Sequence, residues 1–506
     1  MFSSVLSACV YGVESRLVHV EADVGDGLPQ FSMVGDLSAQ VREAQERVRS
    51  ALRNSGRSLR PKRITINLSP ADLRKHGSGF DLAIAIAVAA GYGEIPAERL
   101  SQTLIIGELS LNGEVRKISG VLPIVADAAD YHCHTCILPY ENLSEVQRIQ
   151  TVRTFGVRTL EEAISCLRGE MPDLPGPPAP PAASVSSPAV DFSEIRGQSF
   201  VRRAAEVAVA GGHNLLMIGP PGAGKSMIAQ RIATILPPLS LQEQMEVSRI
   251  YSAAGLLLPE DFLLYNRPYR SPHHTITAKA LSGGGLIPKP GELSLAHNGV
   301  LFLDELPEFR REVLEILRQP LEEGKISISR VGGTFDFPTE IMLVAAMNPC
   351  PCGYYPNMKR CSCTYSAIQR YQSRISAPLL DRIDITAEVE VPDFSLLFTE
   401  KKEESSAVIR KRIMNARALQ QERYQGQSIR CNARLTSENI EKYCRLGSKE
   451  SAVIEEAFRS LELSVRGCHR ILKVARTIAD LDGREQISVN DLQEALCYRG
   501  IHRRLL

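Results

Sequence analysis

Two spacings of apolar residues alternate along the chain. In SAQVREAQERVRSALRNSG they recur every three or four positions, the spacing of an amphipathic helix, whereas ITINLSP alternates like a half-buried strand. TLIIGELSLNGEV reads as a second β-rich run, and GFDLAIAIAVAAGYG as a buried helix. Farther on, NLLMIG, the run Val300 to Leu303 and IMLVAAMNP are short and continuously apolar. Such runs suit strands covered on both faces, as in a parallel sheet. MIAQRIATIL follows the first of them with helical spacing. GKISISRVGGTFDFP alternates on both sides of Val-Gly-Gly and predicts a hairpin. From about Asp393 the rhythm is helical, and SVNDLQEAL carries a Ser488…Asp491 capping-box pattern.

One stretch obeys neither rhythm. Gly169 to Val190 reads GEMPDLPGPPAPPAASVSSPAV, which has little to bury and tends toward extended polyproline II, so a spacer is expected there. It separates an N-terminal unit, residues 1–168, from a central unit, 191–392, and a helical C-terminal unit, 393–506. The 506 residues fit about three domains at roughly 150 residues each. Hydrophobic residues at 44% and charged residues at 23% are the balance of an ordinary globular chain. Lys and Arg number 59 against 58 Asp and Glu, which excludes a polycation, an acidic tail protein and a mostly disordered chain. A local basic surface can still sit on a neutral total, so nucleic acid stays open. The absence of Trp and an aromatic fraction of 6% argue against binding built on base stacking. The longest apolar run, Leu82 to Ala90, falls short of the roughly 18–20 residues a spanning helix needs. MFSSVLSACVYGVESRL has no basic region before an apolar core, so no signal peptide is expected. With 12 cysteines and no such leader, a reducing, cytoplasmic setting without membrane attachment is expected.

The chemistry concentrates in the central unit. NLLMIG leads into Gly219, Pro220, Pro221, Gly222, Ala223, Gly224, Lys225 and Ser226, which fit G-x-x-x-x-G-K-[ST] between a strand and a helix. Glycines at 222 and 224 let backbone N–H groups turn in on phosphate oxygens at a helix N-terminus. Lys225 suits the β- and γ-phosphates of ATP, and Ser226 offers Mg²⁺ an oxygen. The run Val300 to Leu303 ends in Asp304 and Glu305. Asp304 is expected to hold the Mg²⁺ shell and Glu305 to orient and deprotonate the attacking water. An acidic pair there can also merely decorate a helix N-terminus, but the phosphate loop favours the chemical role. IMLVAAMNP ends at Asn348, suited to positioning the same water. Cys350, Cys352, Cys361 and Cys363 can surround one tetrahedral Zn²⁺. A loop of free thiols is the alternative, since paired C-x-C spacing is unusual for zinc. In His132, Cys133, His134 and Cys136, strand alternation sends neighbours to opposite faces and argues against a metal.

Strands ending in phosphate, metal and water ligands resemble the AAA+ ATPase fold. RPYRSPHHTITAKALSGGGLIPKPGELSLAHNGVLFLDELPEF resembles the Mg-chelatase-like AAA+ ATPases, and PADLRKHGSGFDLAIAIA with GELSLNGEVRKISGVLPIVADAA resembles the Lon-protease-like domain. With RILKVARTIADLDG near the C-terminus, the chain is similar from end to end to the ComM/YifB family. The resemblance implies a multidomain α/β fold: an N-terminal Lon-like α+β domain, an AAA+ P-loop core of αβα type and a C-terminal helical lid. It implies a homohexamer in which Arg382, in APLLDRIDI, is an arginine finger for the neighbouring subunit, with Arg374 a weaker competitor. It also implies Arg466 as the sensor-two arginine and Ile195 and Gln198 as an adenine-side box. Arg466, Arg470 and Lys473 share one helix face, where a solvated basic stripe is the alternative for the last two.

Two inserts point at a substrate. Arg267 to Ala296 resembles an insert that projects toward a central pore, with the adjacent His273 and His274 suited to loop contacts rather than chelation. GKISISRVGGTFDFP resembles the pre-sensor hairpin of DNA translocases, where Lys325 and Arg330 would meet phosphates or else stand solvated. Lon-type proteases use a Ser–Lys dyad. The matching positions are Gly79 and Ile124, which cannot do that chemistry, with Ser78 one place away. The Lon-like domain is therefore expected to be an inactive scaffold. The function implied is ATP-driven branch migration of recombination intermediates, including uptake of transforming DNA. A chelatase-type or protein-remodelling ATPase without a DNA substrate is the alternative.

Overall fold

The computed structural model describes residues 1–57, 60–170, 190–257, 263–285, 288–330, 333–391 and 403–503. Most of the Pro-rich spacer (171–189), the junction of the central and C-terminal units (392–402) and residues Val331 and Gly332 of the expected turn lie outside the described residues. Among the described residues, no helix is long and apolar enough to cross a membrane.

The N-terminal part is built on a mixed seven-stranded sheet. Its order is Gln30–Val34, Arg63–Ser69, Glu14–Gly25, Phe2–Tyr11, Thr103–Ile105, Thr135–Pro139 and Arg153–Val157. The helix Ala39–Asn54 starts at Ser38, whose hydroxyl accepts from the Val41 amide, and its apolar positions Val41, Ala44, Val48 and Ala51 all face the core. The helix Asp81–Gly91 is buried along its whole length, as its lack of a polar face requires. Its single acid, Asp81, is clamped by Arg47 through bonds of 2.6 and 3.0 Å, because a buried carboxylate needs a paired cation. TLIIGELSLNGEV does not form one continuous strand. The Gly107 amide leaves the ladder to donate to the Gly79 carbonyl at 2.9 Å, so the run divides into Thr103–Ile105 and a small hairpin, Glu108–Leu109 with Val115–Arg116.

The central part is an all-parallel five-stranded sheet, ordered Tyr269–Arg270, Val300–Leu303, Met342–Met347, Leu215–Ile218 and Ile385–Glu388. Side chains alternate strictly. Leu215, Met217, Val344 and Ala346 enter the core beneath the lid, while Leu216, Ile218, Leu301 and Leu343 enter the opposite one with Leu306 and Phe309. Burial on both faces explains why these strands read as unbroken apolar runs. Connections leave to either side of Leu215–Ile218, and ligands of such sheets bind in the crevice outside the carboxyl ends at that point.

The lid comprises the helices Ser406–Arg423, Ser437–Tyr443, Ser448–Ser460, Val465–Leu481 and Val489–Arg503. Ile409, Ile413, Ile471 and Ile478 join the same core as Val207 and Ala208 of the helix Ser199–Gly211. Ser488 and Asp491 form the capping pattern read from the sequence, with backbone-to-side-chain bonds of 2.7 and 3.4 Å. N-terminal and central parts meet where the helix Leu241–Ala254 packs on Val121–Asp127. There Arg249 pairs with Asp127, and Ser252 accepts the Gly120 amide at 2.9 Å and donates to Glu145 at 2.9 Å.

Candidate active site

The phosphate loop sits between the strand Leu215–Ile218 and the helix Lys225–Ile235. Gly222 and Gly224 adopt left-handed φ of +78° and +88°, which a side chain would strain, and so turn the loop back on itself. Lys225 is nearly buried. Its ammonium donates to the carbonyls of Gly219 (2.7 Å) and Pro220 (2.9 Å) and to Asn348 Oδ1 (3.0 Å), and burial pushes its pKa down. The Gly219 amide donates to the Met347 carbonyl at 3.2 Å, so loop and neighbouring strand end are stitched together. Ser226 Oγ lies 2.5 Å from Asp304 Oδ2. Two hard oxygens side by side are what Mg²⁺ takes alongside phosphate oxygens and water.

Glu305 follows in a left-handed conformation, φ +52° and ψ +47°, uncommon for a residue with a side chain. Its amide donates to Asp304 Oδ1 at 2.9 Å, and its carboxylate lies 3.3 Å from His274 Nδ1. His274 stacks on His273, with ring centroids 4.0 Å apart, and meets the edge of Phe309. The His274–Glu305 contact had no signal in the sequence, since 31 positions and a change of strand separate the two. On the other flank, Ile195 is buried, and Gln198 Nε2 donates to the carbonyls of Ala223 (3.0 Å) and Glu390 (3.1 Å). Gln198 Oε1 is buried without a partner among the described residues, an acceptor facing no donor of this chain.

The two implied arginines lie elsewhere. Asn214, at the amino end of the loop strand, donates to the Arg382 carbonyl at 2.8 Å. Arg382 therefore sits at the sheet edge opposite the phosphate loop, about 13 Å away for a four-residue strand. Its guanidinium bonds Arg318 O (3.1 Å) and Pro378 O (2.6 Å) and pairs with Glu322. Arg470 faces Asp381 and Asp384 at 3.5 and 3.7 Å, and Lys473 bonds the Ala433 carbonyl. Both are paired within the chain, not a solvated stripe. Arg466, one helical turn before Arg470, is exposed and has no polar partner among the described residues. Arg374 lies on the phosphate edge instead, bonded to Glu308 at 2.9 Å.

The hairpin pairs Lys325–Arg330 with Gly333–Pro338. Lys325 stands at its base, compensated by Asp336 at 2.9 Å, whereas Arg330 stands at its tip and reaches the Gly285 carbonyl of the preceding insert at 3.4 Å. Phe335 stacks on Tyr11 of the N-terminal part, centroids 4.1 Å apart. At the positions matching the Lon dyad, Gly79 abuts Ile118, Ile124 is buried, and the Ser78 hydroxyl donates to the Glu108 carboxylate rather than to an amine.

The four cysteines converge. All their Sγ atoms lie within 4.8 Å of one another, and among the described residues they are the one His/Cys/Asp/Glu group close enough for a metal. Cys350 lies 3.4 Å from Cys352 and 3.8 Å from Cys361, with Cys352 to Cys361 at 3.6 Å. A tetrahedron of sulfurs about 2.3 Å from a central Zn²⁺ has edges of about 3.8 Å, whereas a disulfide would bring a pair to about 2.0 Å. The Tyr354 amide bonds Cys352 and pulls its thiol down to about 6, whereas Cys361 and Cys363 are pushed up, so a metal on all four sulfurs has to displace protons.

Comparison with known proteins matches three stretches of the chain. Residues 191–396 match the family model for magnesium chelatase, subunit ChlI, residues 20–142 that for subunit ChlI of Mg-chelatase, and residues 403–499 that for the C-terminal part of subunit ChlI. The chain is 42% identical to the competence protein ComM of Haemophilus influenzae, over 99% of its length and 98% of that protein's. It is 41% identical to YifB of Escherichia coli, covering 100% of this chain and 98% of that one. The N-terminal part is 27% identical over 146 residues to Lon protease 2 of Bacillus subtilis, which covers 27% of this chain and 26% of the protease.

Proposed function

The chain belongs to the ComM/YifB family of Mg-chelatase-like AAA+ proteins, whose core implies ATPase activity, and from that premise we propose that it works as a homohexameric DNA motor that migrates branched recombination intermediates. One observation carries the proposal: the candidate nucleotide ligands and Arg382 occupy opposite edges of one sheet. A single chain cannot bring Arg382 to its own phosphates, but a ring sets each far edge against the next subunit's phosphate loop. An arginine arriving there stabilises charge developing on the transferred phosphoryl group.

Within one chain, Lys225 exchanges its loop carbonyls for β- and γ-phosphate oxygens, a charge-assisted bond in place of neutral ones. Ser226 and Asp304 hold Mg²⁺, which when bound neutralises charge on the phosphate oxygens. Glu305 takes the proton of the attacking water, and Asn348 positions that water, linking it to Lys225. Ile195 and Gln198 line the adenine side, where the unpartnered Gln198 oxygen suits an amine donor. Arg330 at the hairpin tip, more than the compensated Lys325, meets DNA phosphates. Residues 1–168 form a non-proteolytic Lon-like scaffold, 169–190 a spacer, 191–392 the ATPase core and 393–506 the lid. Cys350, Cys352, Cys361 and Cys363 hold Zn²⁺, and the protein works in the cytoplasm. The name of the Haemophilus relative supports a link to competence.

The test measures ATPase rate with single-stranded, forked and four-way-junction DNA at two salt concentrations. Stimulation and junction migration that weaken as salt rises are expected, with Arg330→Ala blunting both. An active ATPase with neither response would sink the DNA reading in favour of protein remodelling.

A further inference from the structure

The cysteine knuckle lies against the nucleotide loop. The strand Met342–Met347 runs through Asn348, the partner of Lys225, directly into Pro349 and Cys350. Gly353, one residue past Cys352, is buried at φ +84°, and a Cβ there would collide with the ring of Pro221 in the phosphate loop. Gln372 Nε2 grips the Pro349 carbonyl at 3.0 Å from the following helix, Tyr365–Gln372. The nucleotide loop thus leans on three supports: Met347 through Gly219, Asn348 through Lys225, and Gly353 through Pro221.

The third support has little order of its own. From Pro349 to Thr364 there is no helix or strand, and the described chain holds its shape through a few turn bonds, such as Gly353 N to Cys350 O and Cys361 N to Asn357 O. Cys350 is fully buried while the other three sulfurs sit nearer the surface. A segment of this kind takes its fold from a cross-link, and four thiolates around one ion supply it, because metal binding to such a loop is itself folding free energy.

We infer that the Cys350–Cys363 knuckle is a metal-dependent brace of the nucleotide loop: with Zn²⁺ on the four sulfurs Gly353 backs Pro221 and nucleotide binds, and without it the loop loosens and nucleotide affinity falls. This rests on the zinc reading above. It also gives the C-x-C pairs a role that is neither catalytic nor a remote surface staple. Loss of the ion by chelation is then a way to silence the motor without touching a catalytic residue.

The full chain is purified with added Zn²⁺, its metal content is measured, and a fluorescent ADP analogue is titrated before and after chelator treatment under reducing conditions. About one Zn²⁺ per chain is expected, with stripping weakening ADP-analogue binding by roughly tenfold or more and added Zn²⁺ restoring it. Amide exchange should rise in residues 219–226 and 342–363 and stay unchanged in the N-terminal sheet. A second variant, Gly353→Ala, tests the contact with the metal in place, and it should keep Zn²⁺ yet bind the analogue more weakly. A chain that binds no Zn²⁺ overturns the zinc reading and the brace with it. A chain that binds Zn²⁺ but keeps full analogue affinity when stripped, or as Gly353→Ala, overturns the brace alone.

Discussion

At the scale of the residue, the free chain keeps its reactive groups engaged with one another. Lys225 spends its three donors on two loop carbonyls and Asn348, and Ser226 and Asp304 are bonded to each other. Phosphate and Mg²⁺ therefore displace existing partners, and the geometry they need is already present. Lys225→Ala should abolish detectable nucleotide turnover while leaving the far-ultraviolet circular dichroism unchanged, because the residue satisfies no part of either core. Glu305→Gln should bind nucleotide normally and lower turnover by about 10² to 10⁴, the usual worth of a general base, as read in single-turnover hydrolysis. Glu305 already departs from ordinary backbone geometry, and His274 beside it comes from the insert that also touches Arg330.

Between elements, one junction is charged. Glu246, on the helix Leu241–Ala254, is bonded by Arg430 of the lid and by Asn298, with His297 at 3.5 Å. Burial alone would raise its pKa, but hydrogen bonds from His297 and Arg430 and the Arg430 charge hold it well below the usual carboxylate range. A depressed acid contributes stability above its unfolded value, 4.5 here, and that contribution is lost as pH falls below it toward the folded value. Glu246→Gln should cost about 1–2 kcal/mol at neutral pH and flatten the loss of stability between about pH 5 and pH 3. Denaturant unfolding of both proteins across that range checks it. If the variant loses stability with acid as steeply as the parent, the clamp is not what acid releases.

For the whole molecule, the controlling fact is that Arg382 and the phosphate loop stand at opposite ends of one sheet, which the proposed ring would bring together between subunits. Arg382→Ala chains and Glu305→Gln chains should each be nearly inactive alone, and mixing them should restore part of the ATPase activity through interfaces that pair an intact Glu305 with an intact Arg382. No recovery in mixed assemblies would count against a finger acting across subunits. Much of the site was legible in advance where the chemistry is local. Residues 219–226 form one contiguous loop between a strand and a helix, so a short string in that context is sufficient to locate a phosphate-binding candidate. Asp304, Glu305 and Asn348 were likewise legible as polar ends of apolar strands, and the four cysteines as a cluster within one loop. TLIIGELSLNGEV is β-rich as its pattern predicts, but where it breaks depends on the Gly79 carbonyl, 28 positions before the Gly107 amide that it accepts. The sequence by itself determined the candidate residues and the elements on which they stand, since periodicity and contiguous motifs are local properties. Tertiary structure alone decided that Asn348 meets Lys225, that His274 meets Glu305, that Gly353 backs Pro221 and that Arg382 faces away from its own phosphate loop. Each of those depends on the order and direction of strands in the sheet, which no local pattern of side chains encodes.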